Sequence, residues 1–561
     1  VLALVLAAAS PASAHAVLLR TEPSPQTTVK SPPEAVRLRF SEPVEVTFGA
    51  VRVFDVDGRR VDAGKIETAS GRRELVVPAR LPGGTYTVTW RVVSTDGHRI
   101  SGGFQFFVGS PSTISAVAVA GDAGAGRAVG WGYGAVRFTW YAALLAFIGL
   151  VVVRRFVWTP ALRERGLGES VAAGRFRSRF NRALPWAWAF LLVAWGLRLV
   201  FQAASISGLG LVDSARPGVM ADMLSTGFGR AWLAGLGFTL LAGLAVAGLT
   251  RRAGLFGARA QTWLSILAGS AVGLALAVAN TGHARTEANP ALGVPSAAVH
   301  HLAVATWVGG LAALVVLGAS AWSAVAPEDR NGLVRAVVTR FSRVALLAVA
   351  VLVATGTLNS FLDLAAVSDL WGTTYGRVLS AKIVLLTVAL AFGAWHLRVT
   401  PRRLAAAGPE AAASRMFRRS STVELVVLAA IVGFASALVA LVPGRSLALQ
   451  ARGPVNQEQR AGRYTVQLFL DPSSPGANEI HVTFIDPNGL GAGEMTVITT
   501  TLAGDPAGGP PRPLAMRLIS SGHFVANTDL AAGAYRLVVN STAPSPPLAT
   551  AFQFKLRKET H

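Results

Sequence analysis

The chain of 561 residues contains no cysteine. That absence removes disulfides, thiolate metal sites, redox dithiols and cysteine nucleophiles together. Methionine is also scarce, at five residues, so thioether ligands are few. Charged residues make up 15% against 52% hydrophobic, and mean hydropathy is +0.46, a balance that does not describe a soluble chain. No G-x-x-x-x-G-K-[ST] phosphate loop and no H-E-x-x-H pair occurs, which disfavours ATP-driven pumping and zinc-peptidase chemistry within this chain. Acidic residues number 30 against 52 Lys and Arg, leaving a net charge of +22. Such an excess suggests nucleic acid until its distribution is read.

Arginine is concentrated between apolar runs. Eight segments of spanning length lie near 135–153, 185–207, 228–250, 261–280, 297–321, 341–361, 378–396 and 422–442. The loops after the first, third, fifth and seventh carry clusters such as Arg175, Arg177, Arg179 and Arg182, then Arg251 and Arg252, then Arg340 and Arg343, then Arg402, Arg403, Arg418 and Arg419. The intervening loops hold little beyond Arg216, Arg285 and Arg377. This positive-inside asymmetry accounts for most of the charge without nucleic acid, and it predicts a multi-pass protein of the cytoplasmic membrane with both termini extracytoplasmic.

The flanks read differently. Residues 1–14 end in Pro11-Ala12-Ser13-Ala14, a small-x-small pattern that signal peptidase accepts. Residues 15–109 alternate apolar and polar over Ala35–Phe40, Arg73–Pro78, Thr85–Val93 and Phe104–Val108, with Asp-Gly and Pro-Gly turns between. They predict an antiparallel β-sandwich. A small-residue linker, 110–134, leads to the membrane domain, 135–442, and a second linker, 443–460, follows it. Short strand-like runs, including Tyr464–Leu470, Glu479–Ile485, Met495–Thr501 and Leu514–Ile519, make 461–561 a second extracytoplasmic β-sandwich. The fold class is an all-α eight-helix transmembrane bundle flanked by two such sandwiches.

Cleavage after Ala14 would give His15 a free α-amine beside its imidazole. An α-amine has a pKa near 7.7, low enough for a metal to displace its proton. Asp96-Gly97-His98 lies after a strand-like run, and side chains two apart on an extended segment point the same way. Together His15, Asp96 and His98 make a nitrogen-rich set that favours Cu(II) over Cu(I).

His15-Ala16-x-Leu18, Glu22-Pro23-x-Pro25, Leu38-x-Phe40-Ser41-Glu42-Pro43-Val44 and Ser94-x-Asp96-Gly97-His98-x-x-x-Gly102 resemble the periplasmic copper-binding CopC family. The His283-Ala284 step, the His300-His301 pair with Trp307-x-Gly309-Gly310, and Tyr375-Gly376 to Lys382 are similar to the membrane protein family CopD. Gly476-x-Asn478-x-x-x-Val482, Asp486-Pro487-x-Gly489 and Gly533-x-Tyr535 resemble a YtkA-like domain. The chain thus resembles a CopC–CopD fusion with a further C-terminal domain. The resemblance implies a Cu(II) site at His15, Asp96 and His98, and a part in copper delivery or import across the cytoplasmic membrane.

Further candidates follow from position. His283, His300 and His301 gather at the outer face and form the expected copper pathway, with Met220 and Met223 as possible Cu(I) thioethers. Arg198, Gln202, Asn359, Tyr375 and Lys382 are polar residues costly in lipid, expected to line a polar core or a gate. His481, Met516 and His523 are the metal candidates of the C-terminal domain. The expected activity is non-enzymatic copper acquisition, with the bilayer and an extracytoplasmic chaperone or reductase as partners. The alternatives are a haem- or copper-dependent membrane oxidoreductase using His283, His300, His301 and His396, and a copper sensor or assembly scaffold that transports nothing.

Overall fold

The computed structural model describes residues 16–556 except 17, 26, 47–50, 56–58, 63–64, 95–98, 110–126, 253–255, 283, 285–288, 323–324, 326, 407–411, 440, 442, 445–454, 472–474, 487–491, 506–509, 521 and 542–546. It comprises a helical unit, residues 125–444, and a second unit made of residues 13–124 and 445–561.

In the N-terminal region, strands β1 (Leu18–Glu22), β3 (Ala35–Phe40), β7 (Glu74–Pro78) and β6 (Glu67–Ala69) form one sheet. A second sheet runs β2 (Thr28–Val29), β9 (Arg99–Val108), β8 (Gly84–Ser94), β4 (Val44–Glu45), with β5 (Val51–Phe54) also on β8. Strand β3 shows why they form: Val36, Leu38 and Phe40 are buried while Arg37 and Arg39 are exposed, the period-two pattern of a half-buried strand. The inner faces of both sheets merge in one apolar cluster that includes Leu38, Leu75, Val88 and Phe106. This is the expected sandwich.

Among the described residues, seven helices are long and apolar enough to cross a membrane: Val129–Glu164, Val171–Ser207, Gly227–Arg251, Ala258–Ala279, Pro290–Gly318, Gly332–Asp363 and Thr374–Trp395. The last expected segment, 422–442, coincides with a shorter apolar helix, Thr422–Leu438. The first helix begins at Arg127, inside the stretch read as a linker from its glycines. Tertiary contacts outweigh their weak helix propensity here: a Cβ on Gly132 would meet the Phe201 ring at 2.6 Å, and the Tyr133 hydroxyl bonds the Gln202 amide oxygen.

Gly309 and Gly149 set a close helix crossing. A Cβ on Gly309 would lie 1.9 Å from the Leu145 carbonyl oxygen, and one on Gly149 would lie 2.0 Å from the Gly309 carbonyl carbon. Only glycine lets these backbones touch. Gly309→Ala is therefore expected to cost about 3 kcal/mol, while Gly237→Ala, with nothing within 4 Å of the new methyl, should be neutral or slightly stabilising. Thermal unfolding of both variants in detergent checks this; equal midpoints would remove the crossing argument.

The C-terminal region is two sheets, β10 (Val455–Ala461), β11 (Tyr464–Asp471), β12 (Gly476–Ile485), β16 (His523–Leu530), β15 (Arg517–Ser520), and β14 (Arg512–Pro513), β13 (Ile498–Asp505), β17 (Gly533–Ser541), β18 (Leu548–Leu556). Leu468, Val482 and Phe524 of the first meet Leu502, Leu537 and Phe552 of the second in one core. Strand β16 went unread in the sequence, because Ala526-Asn527-Thr528-Asp529 carries turn-type residues. Met495–Thr501 and Leu514–Ile519 enter strands only at Ile498 and Arg517, since Met495 and Leu514 are core residues in connections.

Candidate copper-handling sites

His15, Asp96, His98 and His283 lie outside the described residues, but the anchors beside the first three are placed. Leu18 pairs with Phe40, and Ala16 is buried in the sandwich core. Two residues after Phe40, Glu42 accepts a hydrogen bond from the buried Ser94 hydroxyl at 3.1 Å. Ser94 ends β8, and the register closes with Val93 opposite Arg99. The chain entering β1 and the connection that carries Asp96 and His98 therefore leave the sandwich from neighbouring points, joined through Phe40-Ser41-Glu42. That gives the Ser41-Glu42-Pro43 motif a structural role.

In the helical unit, His300 and His301 sit on α1 (Pro290–Val304). The His300 Nδ1 is 3.0 Å from Thr355 Oγ1, and Thr355 already donates its only proton to the Val351 carbonyl at 2.7 Å. Thr355 must then accept, so the His300 proton is on Nδ1 and its Nε2 keeps a lone pair. His301 Nδ1 meets the Ala297 carbonyl at 2.5 Å, which can only accept, so here too Nε2 is the basic nitrogen. Such a second contact orients an imidazole for metal binding. Adjacent helix positions point about 100° apart. Correspondingly, His300 lies against Thr355 and Gly356 on one side, while His301 stacks on Tyr141, centroids 6.1 Å apart, on another.

The expected polar core divides. Arg198 donates to Thr281 Oγ1 at 2.7 Å, and its guanidinium lies 4.6 Å from the Trp140 ring centroid and 5.1 Å from that of Phe228. Aromatic faces thus replace water around a cation buried among helices. Gln202 is held by Tyr133. Asn359 accepts from the Ser296 hydroxyl at 2.7 Å, tying α1 to the helix Pro327–Asp363. Tyr375 donates to Asp363 at 2.7 Å, and Lys382 lies within electrostatic range of Asp363, His300 and His301. Met223 is fully buried in the short helix Pro217–Ser225, while Met220, one turn earlier, is partly exposed.

Glu424 escaped the sequence reading. It is 3% exposed, and the Trp307 indole hydrogen-bonds its carboxylate. Residue 424 falls inside the last expected segment, 422–442, where a carboxylate among apolar helices is a functional signal by its cost alone.

In the C-terminal region the structure brings His481 and His523 together, with His481 Nδ1 3.1 Å from His523 Nε2. Burial, and then His481, hold His523 down to about 3, so it is neutral at ordinary pH. Glu479 lies 3.8 Å from His481 Nε2 and is held below the usual carboxylate range, first of all by that imidazole. Met516 instead packs against the sandwich core. Among the described residues, no three or more His, Asp or Glu side chains gather closely enough to hold an ion.

Comparison with known proteins bears on the cargo. The family described as CopC domain matches residues 18–109, the copper resistance protein D-like N-terminal domain matches 127–294, and copper resistance protein D matches 335–438. The copper transport protein CutJ of Bacillus subtilis is 29% identical over 495 residues, covering 87% of this chain and 85% of CutJ. Copper resistance protein C of Escherichia coli is 32% identical over 114 residues, covering 19% of this chain and 90% of that protein. The crystal structure of CopC from Methylosinus trichosporium OB3b aligns with 35% identity and a TM-score of 0.16, covering 17% of this chain and 95% of that one. These relatives are named for copper transport and resistance, not for catalysis. With a CopC domain and both parts of copper resistance protein D following one another in a single polypeptide, the chain belongs to the CopC–CopD family of copper resistance and transport proteins.

Proposed function

We propose that this protein acquires copper from the extracytoplasmic side and passes it into or across the cytoplasmic membrane. The N-terminal sandwich captures Cu(II) through the His15 amine and imidazole, Asp96 and His98. Support comes from the Leu18–Phe40 pairing and the Ser94–Glu42 bond, which anchor both carrying segments at neighbouring points of the sandwich. The observation that carries the membrane step is the hydrogen bonding of His300 and His301, which leaves each Nε2 with a free lone pair. Imidazole suits either oxidation state of copper, so these histidines can receive the ion in the state in which it arrives. Both termini are extracytoplasmic in this reading, and the domain limits are those read from the sequence.

The test is uptake of radioactive copper into proteoliposomes, with Cu(I) and Cu(II) supplied separately. Orientation is read from one cysteine introduced at the exposed Ser178, since the native chain has none to interfere. Import predicts accumulation only in vesicles whose Ser178→Cys label is shielded inside. Accumulation only in the opposite orientation would make the protein an exporter, and none in either would leave a scaffold.

A further inference from the structure

His481 and His523 occupy an unusual place on their sheet. Ile480, Val482 and Phe484 of β12 point into the sandwich core, so His481 and Thr483, which alternate with them, belong to the opposite face. The register sets His481 opposite Phe469 on one side and Val525 on the other, and Thr483 opposite His523. The two histidines are thus diagonal neighbours on one face. Outward-facing positions of a sandwich are ordinarily wet, yet His481 is 2% exposed and His523 1%. Phe469 meets the His481 ring edge-on at 5.8 Å.

The hydrogen bonding of the pair is incomplete. The Glu479 carboxylate, 3.8 Å from His481 Nε2, favours the tautomer with the proton on that nitrogen, in which Nδ1 accepts from His523 Nε2. The remaining nitrogen, His523 Nδ1, is buried without a partner. An unpaired buried acceptor costs roughly 1–3 kcal/mol, and a sequence built only for stability would not keep it.

We infer that His481 and His523 form a second copper site, a two-nitrogen seat for Cu(I) in the C-terminal domain, distinct from the capture site and the membrane histidines. Loading it needs a change of tautomer and a small separation of the two rings. The His523 proton moves from Nε2 to Nδ1, both imidazoles stay neutral, and the facing nitrogens, His481 Nδ1 and His523 Nε2, take the ion between them. With metal–nitrogen bonds of about 2 Å each, the 3.1 Å gap must open by about 1 Å. That is within reach of side-chain rotation. Zn(II) or Cu(II) would bring two charges and demand about four ligands. A monovalent ion that accepts two ligands in line fits a dry pair of imidazoles. Glu479 then orients His481 and offsets the charge from its far side. This inference rests on the family's copper cargo and not on the direction of transport.

The experiment is Cu(I) titration of the full chain in detergent, without oxygen, against a chromogenic Cu(I) chelator. It compares the parent protein with His481→Gln and His523→Gln, each also in a His98→Ala background. Each glutamine variant should lose one high-affinity Cu(I) equivalent, in either background, with thermal stability unchanged. Unaltered stoichiometry and affinity in folded variants would overturn the site. Should both variants fail to fold, X-ray absorption of the Cu(I)-loaded chain carrying His98→Ala, His300→Ala and His301→Ala decides. A two-coordinate nitrogen shell supports the pair, and any shell with sulfur or higher coordination refutes it. No uptake by the parent protein in the proteoliposome assay, with the Cu(I) equivalent still lost in both glutamine variants, would instead count against the proposed transport alone.

Discussion

Copper uptake should fall by about 100-fold or more when His300 and His301 are both replaced by asparagine, while the N-terminal domain keeps its Cu(II) affinity. Asparagine is the informative substitute. Its side-chain amide places an N–H near the position of Nδ1, so the contacts to Thr355 and to the Ala297 carbonyl are retained. What disappears is Nε2, the nitrogen available to a metal. Loss of transport at unchanged melting temperature therefore separates metal handling from helix pinning. The single variants should differ in severity, because His300 faces the helix carrying Thr355 and His301 faces Tyr141. Membrane abundance must be measured alongside. Normal uptake in the double variant would remove both histidines from the pathway.

The second large effect is expected at the other end of the chain. One residue added before His15 turns its amine into a peptide nitrogen and moves the free amine one residue outward, so the amine–imidazole chelate of His15 is lost. Cu(II) affinity of the full chain should drop by about two orders of magnitude, and electron paramagnetic resonance should lose its tetragonal nitrogen-rich signal. The pH dependence follows from the same group. Above about 7.7 the amine is free and binding is full; below that, each unit of pH should cost about a factor of ten as protons compete, with the imidazoles adding their share below about 6.5. Affinity indifferent to the added residue and flat from pH 8 to about 6 would dismiss the amino-terminal chelate.

Glu424 and the His481–His523 pair show where sequence reading stops. Glu424 lies near the start of the last expected apolar segment and carries no periodic signature of its own. Its importance lies in being 3% exposed against Trp307, a residue 117 positions earlier (424 minus 307). His481 and His523 were legible as candidates, but Met516 was indistinguishable from them until the fold sent it to the core. Strand β16 had no alternation strong enough to announce which way His523 points.

The sequence by itself determined the division into sandwich, membrane helices and β-rich tail. Local pattern suffices there, because a strand half in water must alternate and a segment crossing lipid must satisfy its backbone internally with an unbroken apolar run. It also set the copper class, through short motifs such as Ser94-x-Asp96-Gly97-His98. Only the tertiary structure decided which nitrogen of His300 and His301 stays free, why Gly309 is glycine, and that His481 meets His523. Each of these depends on a partner far along the chain. Register, helix crossing and hydrogen-bond direction are set by packing, and packing has no local signature.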